Sequence, residues 1–216
     1  MLSVIGSAQI FVLRILSVLG VSDAQNSLGL LYEEGRGLAK DYSKAIALYK
    51  KAVSFNNIYA QSNLGRMYES GLGVERNISK AIDLYKAAAS KGHAWSQNAL
   101  GYLYSKGDGV SKDHEKAFLW YQTAAVQGYA WAQLNLGWAY FKGLGIEKNL
   151  LNAEMWYAEA AKQGIPQAQY NLGLMYVEGC GVDQNHDKAE KWLRKAQDGG
   201  VYEAKKMLNI VKSQKK

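Results

Sequence analysis

Residues 168–181 read Ala168-Gln169-Tyr170-Asn171-Leu172-Gly173-Leu174-Met175-Tyr176-Val177-Glu178-Gly179-Cys180-Gly181, and most of this stretch recurs when it is moved back in steps of 36 residues. Gly173 falls on Gly137, Gly101, Gly65 and Gly29, and Tyr176 falls on Tyr140, Tyr104, Tyr68 and Tyr32. Gly179 and Gly181 fall on earlier Gly-x-Gly pairs, with no insertion or deletion. A fixed period of this length marks stacked supersecondary units, none of which can bury its apolar face alone.

Within residues 60 to 95, Ala60, Leu64, Gly65 and Tyr68 stand at i, i+4, i+5 and i+8, the spacing of one helical face. This first helix, helix A, carries an interior glycine, which costs about 1 kcal/mol against alanine. A cost repeated in every unit requires a packing reason, and close approach of a paired helix supplies one. Gly71-Leu72-Gly73 then ends helix A, because glycine accepts the left-handed conformation beyond a helix terminus. Asn77 follows, with Asp41, Asp113, Asn149 and Asn185 at the matching places. Such residues cap a helix by accepting from an unpaired backbone N–H. A second helix, helix B, has Ala81, Leu84, Tyr85 and Ala88 on its inner face. Gly92, Gly128, Gly164 and Gly200 close it, with Asn56 at that place in the first unit. The pattern predicts an all-α solenoid of five units, 24–59, 60–95, 96–131, 132–167 and 168–203. A capping helix and a basic tail follow in residues 204–216.

Hydrophobic residues make up 48% of the chain and there is one proline, which argues for a folded protein. The formal charge of +7 is unevenly placed, since Lys205, Lys206, Lys212, Lys215 and Lys216 have no acidic residue after them. Up to residue 203 there are 21 basic and 19 acidic residues, so the repeats carry about +2. A basic tail is not a basic groove, and no nucleic-acid partner is expected. Cys180 is alone, which excludes an internal disulfide framework and a multi-cysteine zinc site. His114 and His186 occupy equivalent positions two units apart, roughly 20 Å at about 10 Å per helix layer, too far to share a metal. The Gly-x-Gly pairs follow a helix, where a dinucleotide fingerprint needs a strand. No catalytic residue, metal site or cofactor is expected.

Residues 1–22 are apolar, but Arg14 interrupts them and no basic residue precedes it, unlike a secretory signal. The segment is also short for a membrane span, which needs about 20 apolar residues. The register places Gly20 one period before Asn56 and Arg14 one period before Lys50, so the segment reads as a worn helix B of a preceding unit. A signal or anchor remains the alternative, and with it a membrane contact. A soluble cytoplasmic protein is favoured, although the compartment and oligomeric state are open.

The combination Ala-x-x-x-Leu-Gly-x-x-Tyr, Gly-x-Gly, Lys-Ala, Trp-Tyr and Ala-Ala resembles the Sel1-like repeat family, relatives of the tetratricopeptide repeats. Ala132 to Tyr140 with Gly143-Leu144-Gly145-Ile146 matches it closely, and the likeness covers residues 24–203. The resemblance implies a right-handed superhelix of antiparallel helix pairs and a non-catalytic role as a protein-binding adaptor or scaffold. A cysteine-rich branch of the family, with a disulfide in each repeat, has a β-lactam-hydrolysing or β-lactam-binding activity. The lone Cys180 departs from that branch, so a hydrolase is the weaker alternative.

By analogy with tetratricopeptide repeats, helix A lines a concave groove, and its positions free of framework duty would meet a protein or peptide partner. These positions become aromatic and basic in the third and fourth units. The residues expected to bind are Trp95, Tyr102, Lys106, Trp131, Leu134, Trp138, Phe141, Lys142 and Tyr170. Aromatic side chains beside a few charges are what interface hot spots favour. Apolar partner side chains would sit on the aromatics, with carboxylates near Lys106 and Lys142.

Overall fold

In the computed structural model, which describes residues 6–214, the described residues form twelve helices and no strand. They are α1 (Ser7–Val18), α2 (Ser22–Glu34), α3 (Tyr42–Ser54), α4 (Ile58–Ser70), α5 (Ile78–Ala89) and α6 (Ala94–Lys106), followed by α7 (His114–Ala125), α8 (Ala130–Lys142), α9 (Leu150–Lys162), α10 (Pro166–Glu178), α11 (His186–Asp198) and α12 (Tyr202–Gln214). The chain divides into two compact units, one up to Leu100 and one from Gly101, with the division inside α6. Consecutive helices pack on one another from α1 to α5 in the first unit and from α7 to α12 in the second. Helices α2, α4, α6, α8 and α10 are the A helices, and α3, α5, α7, α9 and α11 are the B helices.

The interior glycines of the A helices have a direct steric cause. A Cβ on Gly29, Gly65, Gly101 or Gly137 would lie 2.5–2.8 Å from a ring carbon of Tyr49, Tyr85, Tyr121 or Tyr157 on the following B helix. On Gly173 it would lie 2.8 Å from Leu193. No real Cβ tolerates such a separation, so glycine is what allows each ring to lie against its helix. Tyr49, Tyr85 and Tyr157 are essentially fully buried as a result.

The two glycines of each Gly-x-Gly loop do different work. Gly35, Gly71, Gly143 and Gly179 close their A helices in the left-handed conformation, as the sequence predicts. The second glycine also has positive φ, but it lets the loop lie on an earlier B helix. A Cβ on Gly73 would strike Tyr42 of α3, on Gly145 the backbone at His114 of α7, and on Gly181 the backbone at Leu150 of α9.

Each B helix is then started by its expected cap. Asp41, Asn77, Asp113, Asn149 and Asn185 each accept from the backbone N–H three residues on, at 2.9–3.0 Å. The capping residues donate their own N–H groups to the carbonyls of Tyr32, Tyr68, Tyr104, Tyr140 and Tyr176, which closes every loop in the same way. The capped helices end at residues with φ between 59° and 91°, from Asn56 to Gly200.

Buried glutamines join α2, α6, α8 and α10 to the helix before each of them. The Nε2 groups of Gln97, Gln133 and Gln169 donate to the carbonyls of Ala89, Ala125 and Ala161, eight residues upstream, at 3.1–3.3 Å. These carbonyls belong to the last turns of B helices, where intrahelical partners run out. Gln25 does the same to Ser17 of α1, and Gly20 has φ 85°, so α1 ends as the B helices do. Its Ile10 packs on Leu28 and Leu31, whereas Phe11, Val18 and Leu19 are exposed. Among the described residues no helix is long and apolar enough to cross a membrane. The expectation for residues 1–22 falls in part on residues 1–5, outside the described ones. At the other end, α12 buries Ala204, Leu208 and Val211 against Ala189, Leu193 and Ala196 of α11.

Leu136 is fully buried, and Leu136→Ala is expected to cost about 2–5 kcal/mol in denaturant unfolding. Gly164→Ala, at φ 88° with open space around it, should cost about 1–2 kcal/mol from the left-handed backbone alone. Gly145→Ala should cost more, because the same backbone penalty is joined by collision with His114; equal losses at the two glycines would refute the loop packing described above. Burial also raises the Tyr121 hydroxyl to a pKa of about 12, and moves Tyr49, Tyr85 and Tyr157 further in the same direction. The folded-state values lie above the ordinary 10, so this stabilisation is complete below pH 10 and is lost as pH rises towards 12 and beyond. A urea midpoint that stays constant between pH 9 and 12 would contradict it.

Candidate functional site

The framework uses one face of α8: Ala132, Leu136, Gly137 and Ala139 are all buried. Trp138 and Phe141 lie off that face, three residues apart and therefore neighbours on the helix surface. Their rings stack with centroids 6.1 Å apart and planes at 20°. The Lys142 Nζ sits 4.8 Å from the Trp138 ring centre and 5.3 Å from that of Phe141. Trp138 keeps 45% of its surface exposed, an unusual outlay for so large an apolar side chain.

Trp138 is a shared wall between two cavities. The larger, about 390 Å³, is lined by Tyr102, Ser105 and Lys106 from the end of α6, by Lys112 and His114, by Phe118 and Tyr121 of α7, and by the Trp138 side of α8. Its volume falls within the usual range for ligand pockets, about 300–1,000 Å³. The smaller, about 280 Å³, is bounded by Trp138, Phe141 and Lys142 on one side and by Leu174, Met175 and Glu178 of α10 on the other.

The nine residues expected from sequence do not form one surface. Tyr102, Lys106 and Trp138 share the larger cavity, and Trp138, Phe141 and Lys142 share the smaller. Leu134 must be reassigned: it is 8% exposed and packs in the core with Ala153, Tyr157 and Leu172, so it is not available to a partner. Trp95 is half-buried and meets the Tyr85 ring edge-on, with centroids 5.5 Å apart, which makes it a brace for α5. Tyr170 packs beside the Val177, Leu193 and Leu208 cluster and faces α12, away from the Trp138 cavities. Trp131 is 49% exposed but lines neither cavity. Lys142 covers two aromatic faces, so a carboxylate contact there would compete with its rings.

Sequence reasoning missed Lys112, His114, Phe118 and Tyr121 as cavity walls. They come from the loop before α7 and from α7 itself, and an argument confined to A helices does not reach them. His114 is the first residue of α7 and half-buried. Burial and the neighbouring Glu178 carboxylate raise the pKa of Cys180, which disfavours its thiolate. The described residues contain no group of three or more His, Cys, Asp or Glu able to hold a metal ion.

The Sel1 repeat profile matches this chain at residues 22–54, 58–93, 96–129, 132–165 and 166–201. A Sel1 repeat protein of Oxalobacter formigenes superposes with a TM-score of 0.84 at 32% identity, covering 94% of this chain and 89% of its own. A protective antigen of uropathogenic Escherichia coli, with an SLR fold, gives a TM-score of 0.84 at 30% identity over 93% of this chain. This chain spans 43% of that antigen's length. An immunity protein of Pseudomonas aeruginosa shares the fold at 22% identity, with a TM-score of 0.59, over 88% of this chain and 73% of its own. No curated protein gives a significant match.

The contrast between Trp131 and Leu134 can be measured. Trp131→Ala is expected to leave stability within about 0.5 kcal/mol, as exposed substitutions do. Leu134→Ala is expected to cost about 2–5 kcal/mol. Comparable unfolding midpoints for the two variants would overturn the assignment of Leu134 to the core.

Proposed function

The chain belongs to the Sel1 repeat family, and from that premise we propose that it is a non-catalytic adaptor whose partner protein docks on the aromatic surface around Trp138. The single observation that carries this reading is Trp138 itself, a half-exposed indole stacked on Phe141 and standing between two cavities. Tryptophan and tyrosine beside pockets are the side chains that dominate binding energy in protein interfaces. Tyr102, also half-exposed and capped by the Lys106 ammonium at 5.7 Å, extends the surface along α6. The family resemblance supports the adaptor class, since Sel1-like repeats generally hold protein partners. The shared fold of the immunity protein is an architectural parallel only, and the whole of the longer antigen's role does not transfer to a chain that spans 43% of it.

The test is affinity capture from the source cell with the intact chain and with a Trp138→Ala/Phe141→Ala variant, both checked for helical content by circular dichroism. A protein held by the first and reduced at least about tenfold in the second, some 1.4 kcal/mol, is the expected result. Equal recovery by both folded proteins would remove the Trp138 surface as the docking site.

A further inference from the structure

In the first two repeats, a glutamate of the A helix accepts a hydrogen bond from the buried tyrosine of the B helix. The Tyr49 hydroxyl donates to Glu33 Oε2 at 2.8 Å, and the Tyr85 hydroxyl donates to Glu69 Oε2 at 2.6 Å. One period on, the tyrosine is retained as Tyr121 but the glutamate is replaced by Ser105. The Tyr121 hydroxyl reaches only the Ser105 Oγ, at 3.4 Å, and the Ser105 hydroxyl is already directed at the Tyr102 carbonyl at 2.9 Å. The third repeat thus preserves a buried donor and withholds the carboxylate that meets it in the first two. Tyr121 and Ser105 both line the 390 Å³ cavity beside Trp138.

The charge around that cavity is one-sided. Lys106 and Lys112 line it, and no aspartate or glutamate does. Neither lysine is ion-paired among the described residues, whereas Lys116 nearby is held by Asp113 at 2.9 Å. Phe118, Tyr121 and Trp138 make the remaining wall aromatic. A cavity of about 390 Å³ is larger than one carboxylate side chain requires, so an apolar neighbour enters with it. We propose that this cavity takes a glutamate or aspartate side chain, with an adjacent aromatic residue, from the partner's polypeptide, the incoming carboxylate occupying the place that Glu33 and Glu69 hold in the first two repeats. This deepens the partner-binding reading and rests on it. Two lysines supply the counter-charge, Tyr121 the directed hydrogen bond, and Trp138 the apolar contact. Charge-assisted bonds of this kind are roughly twice as strong as neutral ones, and here they form in a half-enclosed site.

The test uses two peptides, acetyl-Gly-Phe-Glu-Phe-Gly-amide and the same peptide with glutamine in place of glutamate. Binding is read from the indole N–H signal of Trp138 by NMR, assigned through its loss in Trp138→Phe. The glutamate peptide is expected to bind about tenfold more tightly than the glutamine peptide, and to weaken about tenfold in Lys106→Gln/Lys112→Gln. The decisive variant is Ser105→Glu, which gives the third repeat the carboxylate of the first two. It should fold, retain its helical content and lose the preference for glutamate. Equal binding of the two peptides, no binding of the glutamate peptide at millimolar concentration, an unchanged preference in folded Ser105→Glu, or displacement by an oligouridylate would each overturn the proposal. If the Trp138→Ala/Phe141→Ala variant still loses its captured protein while the peptides bind equally, only the carboxylate inference fails. If capture is unaffected while the glutamate preference holds, it is the Trp138 docking surface for that protein that fails.

Discussion

Five times along the chain, an A helix gives up the side chain at one interior position so that a bulky B-helix residue can lie against its backbone. This contact, Gly29 with Tyr49 through Gly173 with Leu193, is what the rest of the molecule depends on. Interior glycine weakens an isolated helix by about 1 kcal/mol, and burial of an aromatic side chain returns more than that. The approach also has a chemical result. It delivers four tyrosine hydroxyls to the same place in successive repeats, where the opposing residue decides what each can do. Glu33 and Glu69 make that place an internal hydrogen bond, and Ser105 makes it part of a cavity.

The loops complete the framework by rules of their own. A Gly-x-Gly pair looks like a single helix stop, yet its second glycine is needed because the loop lies on the backbone of an earlier B helix. The buried glutamines perform a related task by giving the last carbonyls of the preceding helix a second donor, beside the backbone N–H of Gly92, Gly128 or Gly164. Because α1 receives the same bond from Gln25 and ends at Gly20 with the same backbone conformation, it takes the place of a B helix. Its exposed Phe11, Val18 and Leu19 nevertheless distinguish it from the B helices, which present mostly polar or small residues there.

The proposed function rests on the positions that this framework leaves free. On α8 those positions are Trp138 and Phe141, and their neighbours shape two cavities that no single helix could form. The same register in the first repeats is occupied by Arg66, Glu33 and Glu69, with Arg66 bound to Glu33 at 2.5 Å. There the polar groups satisfy one another. Around Ser105 no carboxylate stands in that place, and the Tyr121 hydroxyl makes only a long contact to Ser105 Oγ, at 3.4 Å.

The sequence by itself determined the helical class, the repeat period, the B-helix caps and the left-handed closures, because each depends on backbone rules that act within a few residues. It also placed Trp138 among nine candidate binding positions, by analogy with the tetratricopeptide repeats. What only the tertiary structure decided is which way the remaining side chains go. Leu134 and Trp131 sit three residues apart on one helix, yet the first enters the core and the second stays in solvent, because α9 and α10 pack over one side of α8. The walls supplied by Lys112, His114 and Tyr121 were equally hidden, since a cavity is bounded by residues distant in sequence whose convergence is set by how helices pack.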